Sequence, residues 1–139
     1  MARQTAKTKV LPIIFDTDIL IWYFRGNKRA KMLLQSVELP RRWISSLTLM
    51  ELMQGSRSKD ELIEIEAFVA ENIHRIIHPK TSISEKAIHL VSQFSLSHGL
   101  LAIDALIASS ALLTKASLAT GNRRHFSFIP GLALLPFQP

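Results

Sequence analysis

Cysteine is absent from this chain of 139 residues, and long uninterrupted apolar runs are absent as well. Without cysteine the fold cannot depend on disulfides or a thiolate zinc site, which is compatible with a reducing compartment. The apolar stretches are too short or too interrupted to span a bilayer, so we expect no membrane partner. The basic opening precedes an apolar run that contains Pro12 and ends in an acid, unlike a secretory leader. We therefore expect a cytoplasmic protein.

Acidic residues are also scarce, with 11 against 17 lysines and arginines, so the net charge is +6. A basic surface gains free energy from counterion release when it binds a phosphate backbone, which favours a polyanionic partner such as RNA. Taken alone, this charge is equally compatible with an ordinary soluble surface. The hydrophobic fraction of 47% and the charged fraction of 20% exclude disorder and indicate one globular domain.

Hydrophobic periodicity predicts strands that alternate with helices. Capping boxes at Ser58 with Glu61 and at Ser82 with Glu85 mark two helix starts, and Ser46 is the expected cap of another helix. This alternation predicts an α/β fold, a single domain with a central, mostly parallel sheet flanked by helices on both faces. The domain is expected at residues 10–139, after a flexible basic tail at residues 1–9. The expected strands are residues 10–15, 42–45, 74–78, 117–120 and 132–135.

Three of the few acids, Asp16, Glu51 and Asp104, each end or interrupt an apolar run. A charge in such surroundings is costly unless it has a partner. In parallel α/β sheets ligands bind beyond the carboxyl ends of the strands, where Asp16 and the turn at residues 120–122 would both emerge. Carboxylates in contact repel by about 4 kcal/mol per pair at an effective dielectric of about 20, and a divalent cation removes that repulsion. Ligation by oxygen alone selects Mg2+ or Mn2+ over zinc.

Each acid also has a structural interpretation. Asp16 or Asp18 can cap the helix that follows, and we favour Asp18 as such a cap. Thr48 with Glu51 fits a capping box, and Asp104 can be the N-cap of its own helix. What separate caps leave unexplained is that all three acids share an apolar setting.

Four segments carry a family resemblance: residues 14–21 (IFDTDILI), 44–52 (ISSLTLMEL), 103–108 (IDALIA) and 118–126 (LATGNRRHF). Each motif alone is unspecific, but four in this order cover nearly the whole chain. Together they resemble the PIN-domain family, in particular the VapC-type toxins of bacterial and archaeal toxin-antitoxin pairs. The resemblance implies an endoribonuclease that uses one or two Mg2+ or Mn2+ ions and leaves 5′-phosphate and 3′-hydroxyl ends. It also implies three partners: a cognate antitoxin, an RNA substrate and a second copy of the chain, in a homodimer or a toxin-antitoxin hetero-oligomer.

The resemblance assigns roles to individual residues. Asp16, Glu51 and Asp104 would hold the metal, and Asn122 would complete the catalytic set where many relatives have a fourth acid. An amide oxygen is a weaker ligand, so a second metal is expected to bind weakly or only with substrate. The remaining expected contacts to the carboxylates or the substrate come from Thr17, Thr120, Arg123 and Arg124. His125 is expected to be structural.

Two other functions remain open at this point. One is an RNA-binding module with a degenerate metal site, which Asn122 and the positive charge favour. The other is a phosphatase of the haloacid dehalogenase type, because Asp16 and Asp18 have that family's Asp-x-Asp spacing. That second alternative lacks the usual glycine after Asp18 and a later pair of adjacent acids.

Overall fold

The computed structural model describes residues 11–139. In this part of the chain five strands alternate with six α-helices. The strands are β1 (Ile13–Phe15), β2 (Arg42–Ser45), β3 (Arg75–Ile77), β4 (Ser117–Thr120) and β5 (Leu134–Pro136). The helices are α1 (Thr17–Phe24), α2 (Lys28–Ser36), α3 (Ser46–Gln54), α4 (Lys59–Asn72), α5 (Thr81–His98) and α6 (Ala102–Thr114).

The five strands form one sheet in the order β3-β2-β1-β4-β5, and every neighbouring pair is parallel. The predicted α/β class is confirmed, with a sheet that is wholly rather than mostly parallel. The chain leaves β1 toward β2 and β3 and later returns on the other side through β4 and β5. The reversal lies between β1 and β4, where a crevice opens beyond the carboxyl ends of the strands.

Two apolar clusters cover the two faces of the sheet. Successive side chains of a strand point to opposite faces, so Phe15 belongs to one cluster and Ile14 to the other. The Phe15 cluster packs against α1 to α4, and the Ile14 cluster packs against α5 and α6. Helices therefore flank both faces, as the sequence predicted.

Two predicted helix caps are wrong. Ser45, not Ser46, caps α3, because its hydroxyl accepts a hydrogen bond from the Leu47 amide at 3.1 Å. The predicted Ser82 cap lies inside α5, which begins one residue earlier after extended Lys80, and a cap residue must itself have extended backbone. Ser58 does cap α4, with its hydroxyl 3.1 Å from the Glu61 amide.

The strands at both ends of the chain differ slightly from their predicted bounds. β1 is short because pairing with β2 and β4 is confined to Ile13–Phe15, while Val10 and the expected tail at residues 1–9 lie outside the described residues. β5 reaches Pro136, and proline is tolerated there because β5 is an edge strand. Among residues 11–139 no helix combines the length and the apolarity needed to cross a membrane.

Candidate active site

Asp16 lies at the carboxyl end of β1 and is only 5% exposed. It is the N-cap of α1, and its Oδ1 accepts a hydrogen bond from the Thr17 amide at 2.8 Å. Its Oδ2 accepts a second hydrogen bond from the Thr120 hydroxyl, also at 2.8 Å. The cap interpretation is therefore correct for Asp16, and the same carboxylate also faces the end of β4.

Burial raises the pKa of Asp16 to about 6, against an ordinary value of 3.8. The charges of Asp18 and Asp104 contribute to this raised pKa, while the hydrogen bonds from Thr120 and Thr17 act against it. A nearby cation would stabilise the charged form of such a carboxylate. Because the charges of Asp18 and Asp104 both raise the pKa of Asp16, these two acids lie near Asp16.

Thr120 links the end of β4 to the loop that follows. It is fully buried, and its hydroxyl donates to Asp16 while accepting a hydrogen bond from the Asn122 amide at 2.9 Å. One side chain thus fixes both a carboxylate on β1 and the backbone at Asn122. The structure places Asn122 beside the acid site, with its own side chain exposed.

Glu51 lies in the middle of α3 and is exposed. Its Oε1 accepts a hydrogen bond from the Thr17 hydroxyl at 2.6 Å, and that hydroxyl is also 3.1 Å from the Thr48 hydroxyl. The capping-box interpretation of Thr48 with Glu51 is wrong, because Ser45 is the cap and both residues lie within the helix. The Glu51 carboxylate instead contacts the start of α1.

Asp104 lies in the first turn of α6, but the N-cap of that helix is Leu101, so the cap interpretation is wrong here too. Its Oδ2 is 3.3 Å from Nδ1 of His125. Burial raises the pKa of Asp104, the charge of His125 lowers it and the charge of Glu51 raises it. Asp104 is therefore the acid that lies near Asp16, Glu51 and His125 together.

Asp18 is not the helix cap that the sequence favoured, because Asp16 holds that position and Asp18 lies within the first turn of α1. Its Oδ2 accepts a hydrogen bond from the Gly121 amide at 2.9 Å. Its Oδ1 is buried and has no hydrogen-bond partner among the described residues. Burial also raises the pKa of Asp18.

The loop after β4 is exposed and basic. Residues 123–125 form a short 3-10 turn that carries Arg123, Arg124 and His125. Together with Asn122, Phe137 and neighbouring residues they line a cavity of about 530 Å3 at the carboxyl ends of β4 and β5. A second cavity, of about 500 Å3, opens beside Glu51 between α1, α3 and α4.

Two residues of this site, Asp18 and His125, were given structural roles by the sequence. Asp18 directly contacts the loop after β4, and His125 directly contacts Asp104. The available signals were the two-residue spacing of Asp16 and Asp18 and the place of His125 within the fourth motif. Neither signal shows that Asp18 contacts Gly121 or that His125 contacts Asp104, because each contact joins distant parts of the chain.

The donor set suits a hard divalent cation, because Asp16, Glu51 and Asp104 offer only oxygen. In residues 11–139, however, no three aspartate, glutamate or histidine side chains converge closely enough to hold an ion as they stand. Asp16 is anchored by two hydrogen bonds, whereas Glu51 is exposed and Asp104 partly so. Of these three acids, Asp16 is therefore the most firmly positioned.

The sequence model of the PIN domain matches residues 13–131. The chain belongs to the PIN-domain family. The resemblance carried by the four sequence segments is thus confirmed, and the phosphatase alternative gains no support. In this PIN domain Asp16 contacts Thr120 at the end of β4, Glu51 contacts Thr17 at the start of α1, and Asp104 contacts His125 in the loop after β4.

Named proteins similar to this PIN domain support the same assignment. Ribonuclease VapC19 of Mycobacterium tuberculosis is 32% identical over 122 residues, covering 86% of this chain and 95% of that protein. A toxin-antitoxin complex from Klebsiella pneumoniae matches with a TM-score of 0.75 and 29% identity, covering 91% of this chain and 99% of that chain. DNA-bound VapBC from Salmonella typhimurium shares the fold, with a TM-score of 0.78, 22% identity and coverage of 91% and 98%.

Proposed function

We propose that this PIN domain is a metal-dependent endoribonuclease toxin that a cognate antitoxin neutralises. The observation that carries the proposal is Asp16, a carboxylate only 5% exposed that lies near Asp18 and Asp104 and whose pKa is raised mainly by burial. Such a cluster destabilises a protein unless a cation occupies it. The similarity to a protein named a ribonuclease supports RNA as the substrate.

Asp16, Glu51 and Asp104 are the proposed ligands of Mg2+ or Mn2+, with the amide oxygen of Asn122 completing the set. A bound divalent ion supplies Lewis acidity and neutralises the charge that develops at the phosphoryl group during hydrolysis. We expect Asp16 to be the fixed ligand, while Glu51 and Asp104 adjust when the ion binds. Asp16 is the fixed ligand because two hydrogen bonds hold it, and Glu51 keeps one from Thr17.

The proposed substrate contacts come from the loop after β4. Arg123 and Arg124 are exposed at the rim of the cavity beside Asn122, where guanidinium groups can bind phosphates of the RNA backbone. These contacts recognise charge rather than base sequence. Hydrolysis in this class of site is expected to leave 5′-phosphate and 3′-hydroxyl ends.

The proposed partners are an antitoxin and a second copy of the chain. The Klebsiella pneumoniae relative is described as part of a toxin-antitoxin complex, which supports an antitoxin here. On α1, Phe24 is 38% exposed while Trp22 packs against the core, so Phe24 is the more available for a homodimer or hetero-oligomer. We propose a cytoplasmic site of action, since a chain without cysteine needs no oxidising compartment.

The direct test is cleavage of an RNA pool by the purified chain with Mn2+ or Mg2+, followed by sequencing of the new ends. Asp16→Asn, Glu51→Gln and Asp104→Asn should each lower the rate by more than the roughly 100-fold typical of residues that only support a metal ligand. Asp60→Asn is the matched control, because Asp60 is an exposed acid in the first turn of α4. No cleavage by the unaltered chain, or equal cleavage by Asp16→Asn, would refute the proposal.

One alternative keeps a specific observation in its favour. Because no three potential metal ligands in residues 11–139 converge, a PIN-like module that binds RNA without cutting it remains a second candidate. Isothermal titration with Mn2+ separates the two. An active site should bind Mn2+ in a way that Asp104→Asn abolishes, whereas a degenerate site should show no such binding.

A further inference from the structure

The contact between Asp18 and Gly121 joins two segments that are 103 residues apart. Asp18 lies in the first turn of α1, and Gly121 is the first residue after β4. The carboxylate Oδ2 accepts a hydrogen bond from the Gly121 amide at 2.9 Å. A charged acceptor makes this hydrogen bond stronger than one between neutral groups.

Gly121 is required by space rather than by backbone conformation. Positive φ angles occur at Gly26, Gly99 and Gly131, but not at Gly121. A Cβ added at Gly121 would lie 2.6 Å from Asp18 Oδ2 and 3.3 Å from the Phe137 carbonyl oxygen. Any side chain at this position would therefore displace the Asp18 carboxylate, because non-bonded carbon and oxygen cannot approach that closely.

Two polar side chains thus hold the start of the loop after β4. Asp18 binds the Gly121 amide, and the Thr120 hydroxyl binds the Asn122 amide while donating to Asp16. Beyond this point the turn at residues 123–125 is exposed. These two amide contacts therefore fix the start of the loop, immediately before the basic side chains.

We propose that Asp18 is a positioning residue: its hydrogen bond to Gly121 places Asn122 and residues 123–125 against Asp16 and Asp104. The catalytic consequence rests on the ribonuclease function proposed above, whereas the positioning of the loop does not. Asp18 acts through the backbone of the loop and touches neither metal nor RNA. We call this contact the Asp18–Gly121 clamp.

The first test compares Asp18→Ala with Asp18→Asn. Alanine removes the acceptor, while the asparagine amide oxygen can still accept from the Gly121 amide without the charge. We expect Asp18→Ala to lower kcat/KM for RNA by about 10- to 100-fold, the range seen when a residue that orients a catalytic group is removed. Asp18→Asn should retain most of the rate. Asp60→Ala is the matched control, since Asp60 occupies the first turn of α4 without facing the site.

The second test uses Gly121→Ala, which breaks the same contact from the other side without removing the carboxylate. Gly121→Ala should lower kcat/KM in the same range as Asp18→Ala. The double variant should be no slower than the slower single variant, because both changes break one interaction. Multiplicative losses would show that the two residues act independently and would overturn the clamp.

A third measurement is independent of activity. Amide hydrogen exchange at Gly121 and Asn122, followed by NMR, should accelerate at least about tenfold in Asp18→Ala and in Gly121→Ala but not in Asp18→Asn. Exchange in the β1 amides serves as the internal reference for global stability. Unchanged exchange in both Asp18→Ala and Gly121→Ala, or an Asp18→Asn variant as slow as Asp18→Ala in cleavage, would overturn the proposal.

These readouts separate the two proposals. If the unaltered chain cuts no RNA, the ribonuclease function fails while the exchange data still decide whether the clamp exists. If the chain cuts RNA and the exchange is unaltered in both clamp variants, the clamp fails while the ribonuclease function stands. If Asp18→Ala does not fold, Gly121→Ala is compared with Asp18→Asn in both RNA cleavage and amide hydrogen exchange.

Discussion

The two faces of the sheet and its carboxyl edge are built from the same strands but differ in what they bury. The faces bury apolar side chains such as Ile14, Phe15, Ile44 and Leu118, each fully inaccessible to solvent. The edge carries Asp16, Ser45, Thr48 and Thr120, which are most of the buried polar residues found in residues 11–139. Adjacent residues of one strand therefore serve opposite purposes.

The difference teaches where stability and function reside in this fold. Phe15 is surrounded by apolar groups and contributes stability through its burial. Asp16, the next residue, is buried among other acids, and its raised pKa shows that folding disfavours its charged form. The apolar faces therefore stabilise an edge that is destabilised by its own carboxylates, as is common at functional sites.

The largest expected effect lies on the apolar side of this comparison. Phe15→Ala should lower the free energy of unfolding by about 3–5 kcal/mol, because it removes a large fully buried side chain and leaves a cavity. Urea denaturation without metal measures the change. Phe15→Leu provides a milder variant, and Ile63→Ala, at a side chain 54% exposed on α4, is the control expected to change little. If Phe15→Ala lowered the free energy of unfolding by less than about 1 kcal/mol, the apolar faces would not be the main source of stability.

The second prediction concerns the carboxyl edge, where the charged carboxylates lower the stability of the fold instead of raising it. Folding raises the pKa of Asp16 from 3.8 to about 6, so between these values the folded state binds more protons than the unfolded state. The free energy of unfolding should therefore fall as the pH rises from about 4 to about 6, by up to about 3 kcal/mol from Asp16 alone. Asp18 and Asp104 have raised pKa values and act in the same direction.

Urea denaturation with a chelator across this pH range measures that loss. Asp16→Asn should flatten the dependence because its side chain does not titrate, and it should be more stable than the unaltered chain above about pH 6. Mn2+ should restore stability to the unaltered chain but not to Asp16→Asn, since only a ligand of the folded state stabilises it. If the free energy of unfolding of the metal-free protein rose with pH instead, the charged carboxylates at the edge would not destabilise the fold.

The apolar faces could be predicted from the sequence because their signals are local. Runs of apolar residues predicted the strands, and hydrophobic periodicity predicted the helices between them. In α4 the apolar residues Ile65, Phe68 and Val69, which recur at helical spacing, are buried. Errors were confined to element ends, where Ser45 rather than Ser46 became a cap and Ser82 did not. A shift of one residue changes the cap but leaves the apolar pattern intact.

The carboxyl edge could be predicted only in part. Asp16, Glu51 and Asp104 were singled out by their apolar neighbours, which is again a local signal. The contacts from Asp16 to Thr120 and from Asp18 to Gly121 span 104 and 103 residues, respectively. They depend on β4 lying beside β1, and local patterns do not specify strand order. Asp18 was therefore assigned to a helix cap and His125 to a structural role.

A smaller effect is expected when one hydroxyl at the edge is removed. Thr120→Val should lower RNA cleavage by about 10- to 100-fold, because Asp16 loses a hydrogen bond and the Asn122 amide loses its acceptor. Thr114→Val is the matched control, since the Thr114 hydroxyl donates to carbonyls within α6. Single-turnover cleavage with saturating Mn2+ measures both variants. Equal rates would show that Asp16 needs no fixed orientation.

The smallest effect is expected at the exposed limit of the edge. His125 is about half exposed, and its Nδ1 lies 3.3 Å from the Asp104 carboxylate. A contact made by a half-exposed imidazole contributes about 0–1 kcal/mol, so His125→Gln should barely change the free energy of unfolding. Cleavage should fall by less than about tenfold, because Asp104 keeps its place on α6 without the imidazole.

Single-turnover cleavage and urea denaturation of His125→Gln sharpen the comparison between buried and exposed parts of the edge. Thr120 is fully buried and should matter more than His125, although both contact a carboxylate. If His125→Gln instead slowed cleavage by more than about 100-fold with unchanged stability, the loss would exceed what is typical when a residue that only orients a carboxylate is removed. The imidazole would then have to contact the reacting RNA itself, and the exposed limit of the edge would belong to the catalytic centre.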